Sequence, residues 1–214
     1  MIAFTAGKGA HGSEPNVDAR ETGVTEGDFC IPPHRLFIPR QTHSVNVTWT
    51  ETAGEVPDTD AVITRVPGLC VAVKTADCIP VLLYDERQKL VAAIHAGWRG
   101  TVGRIVERTI VEMQSHGKDL HAVIGPGISL DSFEVGDEVY EAFREAGFPM
   151  EQIARKQNKW HLDLWRANAW LLECAGVHKI HIDGTCTMQS PGFYSARRET
   201  IKTGRNINGI MLCP

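Results

Sequence analysis

Three residues of this 214-residue chain bear side chains suited both to metal binding and to nucleophilic chemistry: His43, Cys78 and His95. Imidazole and thiolate together suit zinc, and three protein ligands leave a fourth position open for water or substrate, as a catalytic ion requires. The spacing is long and irregular and does not choose among uses. Cys78 could equally serve as a nucleophile with His95 as its base, in a hydrolase or deamidase. The plainest alternative is one buried cysteine and two structural histidines.

The neighbours of these residues are chemically loaded as well. Asp77 precedes Cys78. On a strand the two side chains would face opposite ways, whereas at a bend both reach one pocket, and Asp77 becomes a proton shuttle. Lys74 interrupts an apolar run and needs a partner or an anionic ligand there. In His95-Ala96-Gly97-Trp98-Arg99-Gly100 the glycines permit close backbone approach, and Arg99 precedes a helix expected from Thr101, so the segment could be a phosphate subsite or a tight strand-to-helix connection with a surface arginine. Gly125-Pro126-Gly127-Ile128-Ser129 is a rigid loop fit to line a pocket. Between Cys186 and Arg205, Phe193 or Tyr194 can stack on a base, while Arg197 or Arg205 can hold anionic oxygens.

The elements that must position these residues centre on Val71 to Gly100. Pro80–Tyr84 and Leu90–Ile94 are apolar runs rich in strand formers, joined by a polar turn, and Val71–Val73 leads into the first. Further strands are expected at Ile2–Phe4, Arg35–Pro39, Val45–Thr50, Asp60–Thr64, His121–Ile124, Lys179–Asp183 and Ile207–Cys213. Gly7–Gly27 reads as loop with one helical turn, and Thr185–Arg198 as loop with an ordered centre. Helical spacing marks Val102–Met113 with Thr101 as its cap and Gly117 as its stop. It also marks Val135–Phe143, stopped near Gly147, and Leu164–Cys174, stopped at Gly176. His161-Leu162-Asp163-Leu164 reads as the start of that last helix, with Asp163 at its positive end. Strands in runs, with helices gathered in the second half, indicate an α+β fold in one domain spanning 1–214.

Composition narrows the function. A formal charge of -4 with no basic block argues against nucleic acid as a partner, and no apolar run approaches a membrane span. The first residues, MIAFTAGKGAHGSEP, lack a basic region followed by an apolar core. The six scattered cysteines form no C-x-x-C, so a cytoplasmic protein with reduced thiols is expected, about four of the six being plain buried residues.

Several motifs, in order, resemble one family. Gln41-Thr42-His43-Ser44, Thr75-Ala76-Asp77-Cys78-Ile79-Pro80, His95-Ala96-Gly97-Trp98-Arg99-Gly100, Gly125-Pro126-Gly127-Ile128, Cys186-Thr187 and Ser195-Ala196-Arg197-Arg198 resemble the YfiH/YlmD, or laccase-domain, proteins. The resemblance covers the chain from about Phe37 onward. It implies a four-layer α/β/β/α fold with mixed sheets, shared with deamidating toxins of the cytotoxic necrotizing factor type. It implies zinc held by His43, Cys78 and His95, with copper as the rival ion. The implied chemistry is phosphorolysis of adenosine, inosine, guanosine and methylthioadenosine, with adenosine deamination; the partners are then a purine nucleoside and phosphate, and a monomer is favoured. Asp77, Cys78 and Arg99 become the catalytic candidates, and Gln41, Ser44, Lys74, Phe193 and Arg197 the substrate contacts. Two other activities stay open: a peptidoglycan-precursor editing amidase or cysteine hydrolase, and copper-dependent phenol oxidation. The last is disfavoured because a multicopper site needs many histidines, whereas only His178 and His181 stand close together among the nine. The chain departs from the family at its start, Phe4-Thr5-Ala6-Gly7-Lys8-Gly9, which lacks the usual arginine, and at Gly127, where many members carry cysteine.

Overall fold

The computed structural model describes residues 1–10, 13, 19–26 and 29–214. Part of the expected Gly7–Gly27 loop lies outside the described residues. In chain order the elements begin with β1 (Ile2–Ala6), α1 (Ala19–Thr22), β2 (Val24–Glu26), β3 (Phe29–Ile31), β4 (Leu36–Phe37), β5 (Val47–Trp49) and β6 (Ala61–Thr64). The central stretch supplies β7 (Cys70–Thr75), β8 (Ile79–Asp85), β9 (Leu90–Ala96), α2 (Trp98–Val102) and α3 (Ile105–Glu112). The remainder holds β10 (Leu120–Ile124), β11 (Glu134–Val135), α4 (Asp137–Glu145), α5 (Met150–Ile153), β12 (Ala154–Lys156), β13 (Trp160–Leu162), α6 (Leu164–Cys174), β14 (Lys179–Ile182) and β15 (Asn206–Met211).

Two mixed sheets face each other. The smaller has strand order β1-β15-β7-β4 and the larger β14-β10-β8-β9-β6-β5. Strand alternation divides the core between their faces. Val71 and Val73 of β7 meet Leu82, Val91 and Ala93 of the larger sheet in the layer between. Ile79, Val81, Leu83, Ala92 and Ile94 point the other way, onto Ile105, Val106, Leu171 and Leu172 of α3 and α6. Cys70 and Ala72 face outward from the smaller sheet, under Ala19, Val24 and Ile31. The layers are therefore helix, sheet, sheet and a thin outer layer carrying the short α1, which gives the expected α/β/β/α order. Because β7, β8 and β9 are covered on both faces, they are nearly continuous apolar runs rather than alternating ones.

The hairpin of β8 and β9 forms as expected, in the register Ile79↔Ala96 to Asp85↔Leu90. Asp85 closes its turn by accepting from the backbone of Arg87 and Gln88 at 2.9 and 2.7 Å. β7 belongs to the other sheet, so Ala76-Asp77-Cys78 is the crossing between sheets. Asp77 makes that crossing with φ 88, a left-handed conformation uncommon outside glycine.

Several expectations are corrected. Val102–Met113 is not one helix capped by Thr101. Gly97 precedes α2, and Thr101 sits inside it with its hydroxyl donating to the Gly97 carbonyl at 3.0 Å. The chain then breaks at Arg104, in the left-handed region at φ 61, where its guanidinium reaches Glu107 and the Ala146 carbonyl. The helix also ends at Glu112, before Gly117. Val135 lies in β11, and the small sheet β11-β13-β12, which takes in His161 and Leu162, has strands too short to announce themselves by period. The strand expected at Arg35–Pro39 shrinks to β4 because Pro33–Arg35 form a 3-10 turn. Asp163 does cap α6, accepting from the Arg166 backbone at 2.9 Å. All six cysteines are free, but only Cys70 and Cys186 are buried; Cys30, Cys174 and Cys213 are exposed and Cys78 is half-buried. Among the described residues no helix is long and apolar enough to cross a membrane.

Candidate metal centre

The crossing after β7, the end of β9 and the loop after β4 converge on one point. His43, Cys78 and His95 each offer a ligand atom there, all within 4.8 Å of one another, and they are the one such group of three or more among the described residues. His43 Nε2 lies 3.8 Å from Cys78 Sγ. A tetrahedral ion at ordinary zinc bond lengths spaces sulfur and nitrogen by about 3.6 Å. The two imidazoles meet edge to face, 4.8 Å between centroids. Gly97 leaves room for the cluster: a Cβ there would stand 3.0 Å from Cys78 Sγ and 3.1 Å from His43 Cδ2. The donor set and its spacing thus fit a zinc-sized ion. Cys186, the cysteine that could have closed the site as a fourth ligand, is engaged elsewhere, with Ser129 and Ser132.

Asp60 organises this centre and was not singled out from the sequence. It is fully buried at the entry to β6. One carboxylate oxygen accepts from His95 Nδ1 at 2.7 Å and from the His43 backbone at 3.1 Å. The other accepts from the backbones of Thr42 and Ser44 at 3.1 and 2.8 Å and from the Ser44 hydroxyl at 2.7 Å. Three consecutive N–H groups therefore close around one carboxylate, and this holds His43 in the left-handed region, φ 63. The bond to Nδ1 leaves Nε2 of His95 as its ligand atom, an arrangement common behind metal-bound histidines. The signal available was an acidic residue opening the wholly buried run Ala61–Thr64, since such a carboxylate must find donors.

The electrostatics follow from these contacts. Burial pushes the Asp60 carboxyl up, but the bonds from His95 and Ser44 outweigh it and hold it at about 2. Burial also opposes a thiolate at Cys78, yet the charge of His95 and the hydrogen bond from His43 draw that thiol well below its ordinary range. Burial lowers His95, while the Cys78 charge and Asp60 raise it further than burial lowers it. The two shifts run in opposite directions and favour a thiolate at Cys78 beside an imidazolium at His95. Cys70, by contrast, is buried among apolar groups and pushed up to about 12.

A cavity of about 240 Å³ opens beside the centre. Its lining comes from His43, Cys78 and His95, from Arg40 and Gln41, from Lys74 and Ala76, and from Ala196, Ile201 and Arg205 of one later segment, called the roof segment. Gln41 pairs with the Lys74 backbone like a strand neighbour, donating to its carbonyl at 2.7 Å and accepting from its N–H at 2.8 Å. Of the residues expected here, His43, Cys78, His95, Gln41 and Lys74 line this cavity. Ser44 stands behind it, on Asp60. Asp77 turns away, its two oxygens accepting from the Thr187 hydroxyl and the Arg197 backbone, both at 2.7 Å. Arg99 is exposed and lies over the Trp98 ring at 4.3 Å. Arg197 reaches the Ser132 and Glu134 carbonyls, and neither it nor Phe193 is among the lining residues. Arg40 was missed as a cavity cation, and Arg205, foreseen as an anion contact, is at the roof.

Known proteins extend the picture. The family described as multi-copper polyphenol oxidoreductase laccase matches residues 7–213. A purine nucleoside phosphorylase of Bacteroides thetaiotaomicron is 44% identical, over 92% of this chain and 80% of its own. A protein named adenosine deaminase RL5, from an unknown prokaryote, is 40% identical over 82% of this chain and 74% of its own. The crystal structure of Bacillus licheniformis YfiH superposes with a TM-score of 0.78 at 31% identity, covering 84% of this chain and 74% of that one. With the expected layer order and the motif residues gathered at one centre, the chain belongs to the YfiH-type family of multi-copper polyphenol oxidoreductase laccases.

Proposed function

We propose that this chain is a zinc-dependent purine nucleoside enzyme, catalysing phosphorolysis of adenosine, inosine, guanosine and methylthioadenosine and deamination of adenosine. The observation that carries the reading is a three-ligand centre, His43, Cys78 and His95, open to a cavity whose other charged lining residues are cations. Relatives named for both activities support it. An ion held there supplies a Lewis acid facing the cavity.

The chain's own residues do the rest. Phosphorolysis joins a phosphate oxygen to the anomeric carbon and breaks the bond to the base, whose departing electron pair takes a proton. Phosphate is held by Lys74, with Arg40 joining it as its pair with Glu55 opens, rather than by Arg99 or Arg197; Arg205 lines the cavity with its guanidinium already bonded to the carbonyls of Ile201 and Gly204. Asp60 keeps the Nδ1 proton of His95 and so presents Nε2. Asp77 ties the roof segment to the crossing; the shuttle role expected from its place beside Cys78 requires one of its two bonds to open. The chain acts as one domain, in the cytoplasm.

A second reading has its own observation. Cys78, His95 and Asp60 form a thiolate, imidazolium and orienting carboxylate, the constellation of a cysteine hydrolase. Product chromatography separates the two. Purified protein of measured metal content is incubated with adenosine, with and without phosphate, beside Cys78→Ala. Phosphate-dependent adenine or phosphate-independent inosine, lost in the variant, is expected. Bound zinc without turnover of any purine nucleoside would overturn the proposal in favour of the hydrolase.

A further inference from the structure

The roof of the cavity comes from one segment, Ala196 to Arg205, and its tip is an isoleucine. Ile201 is 77% exposed, the most exposed large apolar residue among those described, and it lines the cavity. An isolated apolar residue on a surface is ordinary. Two further facts set this one apart.

The first is its seat. The Arg205 guanidinium donates to the carbonyls of Ile201 and Gly204 at 2.8 and 3.0 Å, closing the loop on itself. Thr203 N–H donates to the Thr200 carbonyl at 3.1 Å, and Arg205 N–H donates to the Ser13 carbonyl at 3.0 Å. Lys8 anchors Glu199 from the N-terminal segment at 2.6 Å. The backbone under Ile201 is thus fixed before any ligand arrives, and a preorganised contact spends little entropy on binding. The second is the size of the cavity. At about 240 Å³ it falls below the roughly 300–1,000 Å³ of pockets that enclose a drug-sized ligand. A nucleoside nearly fills such a volume, so with its reacting carbon at the centre its far part projects toward the rest of the lining. The lining is otherwise polar or cationic apart from Ala76 and Ala196, so the large apolar surface offered to the projecting part is Ile201.

We propose that Ile201 is a specificity-determining residue for phosphorolysis, packing on the purine ring while the sugar lies toward His43, Cys78 and His95; deamination at the same centre requires the reversed orientation. This rests on the nucleoside reading above and adds to it the orientation of the substrate. Apolar contact made equally in ground and transition states is uniform binding, which acts on KM and spares kcat.

The test compares wild type, Ile201→Ser, Ile201→Leu and, as a control on a remote exposed residue, Val111→Ser, all with measured metal content. Steady-state kinetics on inosine with saturating phosphate are paired with calorimetry of inosine binding in the absence of phosphate. Ile201→Ser should raise KM and the calorimetric Kd by about tenfold, with kcat within about twofold. Ile201→Leu should restore both, and Val111→Ser should match wild type. Wild-type turnover with an unchanged KM in Ile201→Ser overturns the placement and leaves the activity standing. Loss of metal or of kcat in Ile201→Ser, with KM unchanged, overturns it in favour of a merely structural loop. Absence of nucleoside turnover and of inosine binding in wild type overturns the nucleoside reading, and this inference with it.

Discussion

Replacing Asp60 by asparagine tests the centre where its construction is most constrained. The carboxylate accepts five hydrogen bonds in a fully buried position. Asparagine offers one accepting oxygen and one donating amide. With the amide at the oxygen facing Thr42 and Ser44, it meets two backbone donors that cannot turn away. With the amide at the oxygen facing His43 and His95, it meets one backbone donor and an imidazole, which can change tautomer and accept. The second placement is cheaper, and it moves the proton of His95 to Nε2, where it blocks metal ligation. Loss of such an orienting partner costs about 10–100-fold in metal affinity. The backbone donor left unpaired costs about 1–3 kcal/mol of stability, which for a chain of this size lowers Tm by about 2–12 °C. The charge adds a pH dependence. A carboxyl held at about 2 stabilises the fold fully above its unfolded value of 3.8 and loses that contribution as pH falls through 2; wild type should lose about 2 kcal/mol over this window, and the variant should not. Chelator competition gives the affinity, and calorimetric melts of the metal-free proteins between pH 2 and 7 give the rest. An asparagine variant that holds zinc as tightly as wild type would refute the orienting role.

Three further outcomes follow from the same geometry. Gly97→Ala should cost metal affinity by about tenfold, as a displaced ligand does, with Tm nearly unchanged because φ -67 suits alanine; a tight-binding alanine variant would show that the close approach to Cys78 Sγ is not limiting. Asp77→Ala should free the roof at Thr187 and Arg197, raising proteolysis within 186–205 and lowering kcat/KM by about 10–100-fold; full turnover with zinc still bound would remove Asp77 from the mechanism altogether. In the metal-free protein the lowered Cys78 thiol should be alkylated as a thiolate, with a rate that falls as pH drops through about 6, while Cys70 at about 12 stays inert; peptide mapping after iodoacetamide reads both, and a Cys78 midpoint near 8.5, as for an ordinary thiol, would deny the His95 contact.

What the sequence carried and what it did not divide along physical lines. β8, β9 and α6 were legible because each is long and its apolar period is unbroken by a competing tertiary demand. The break between α2 and α3 was not, since nothing local forbids a helix through Arg104; its left-handed conformation is held by Glu107 and by the carbonyl of Ala146, far along the chain. The cluster of His43, Cys78 and His95 could be named as chemistry but not as geometry, because it exists only where the two sheets exchange strands. Charged residues were the least legible. Arg99 and Arg197 looked like anion contacts beside their motifs, yet a Trp98 ring and the carbonyls of Ser132 and Glu134 engage them, and Arg40, in a plainer context and paired with Glu55, lines the cavity. A long cationic side chain can turn to several partners, and the choice is made by the fold rather than by its sequence neighbours.

The two readings of the centre compete for one sulfur. As a ligand, Cys78 gives its lone pair to the ion, and His95 must be neutral at Nε2. As a nucleophile, it needs His95 protonated beside it. Asp60 serves both, because a carboxylate at Nδ1 raises the basicity of Nε2 for a metal and also stabilises an imidazolium. The open side of the cluster, facing a cavity with three cations, is what separates them. An anion drawn there meets an electrophilic centre if an ion is bound, and phosphorolysis must hold phosphate there, whereas the hydrolase reading makes no demand for inorganic phosphate. Phosphate dependence therefore decides between the readings. Arg40→Ala with Lys74→Ala should accordingly raise the KM for phosphate by about tenfold or more, at 1–3 kcal/mol per charged hydrogen bond, while leaving metal affinity intact. Phosphate titration in the nucleoside assay measures this, and an unchanged KM would return the choice to the thiolate.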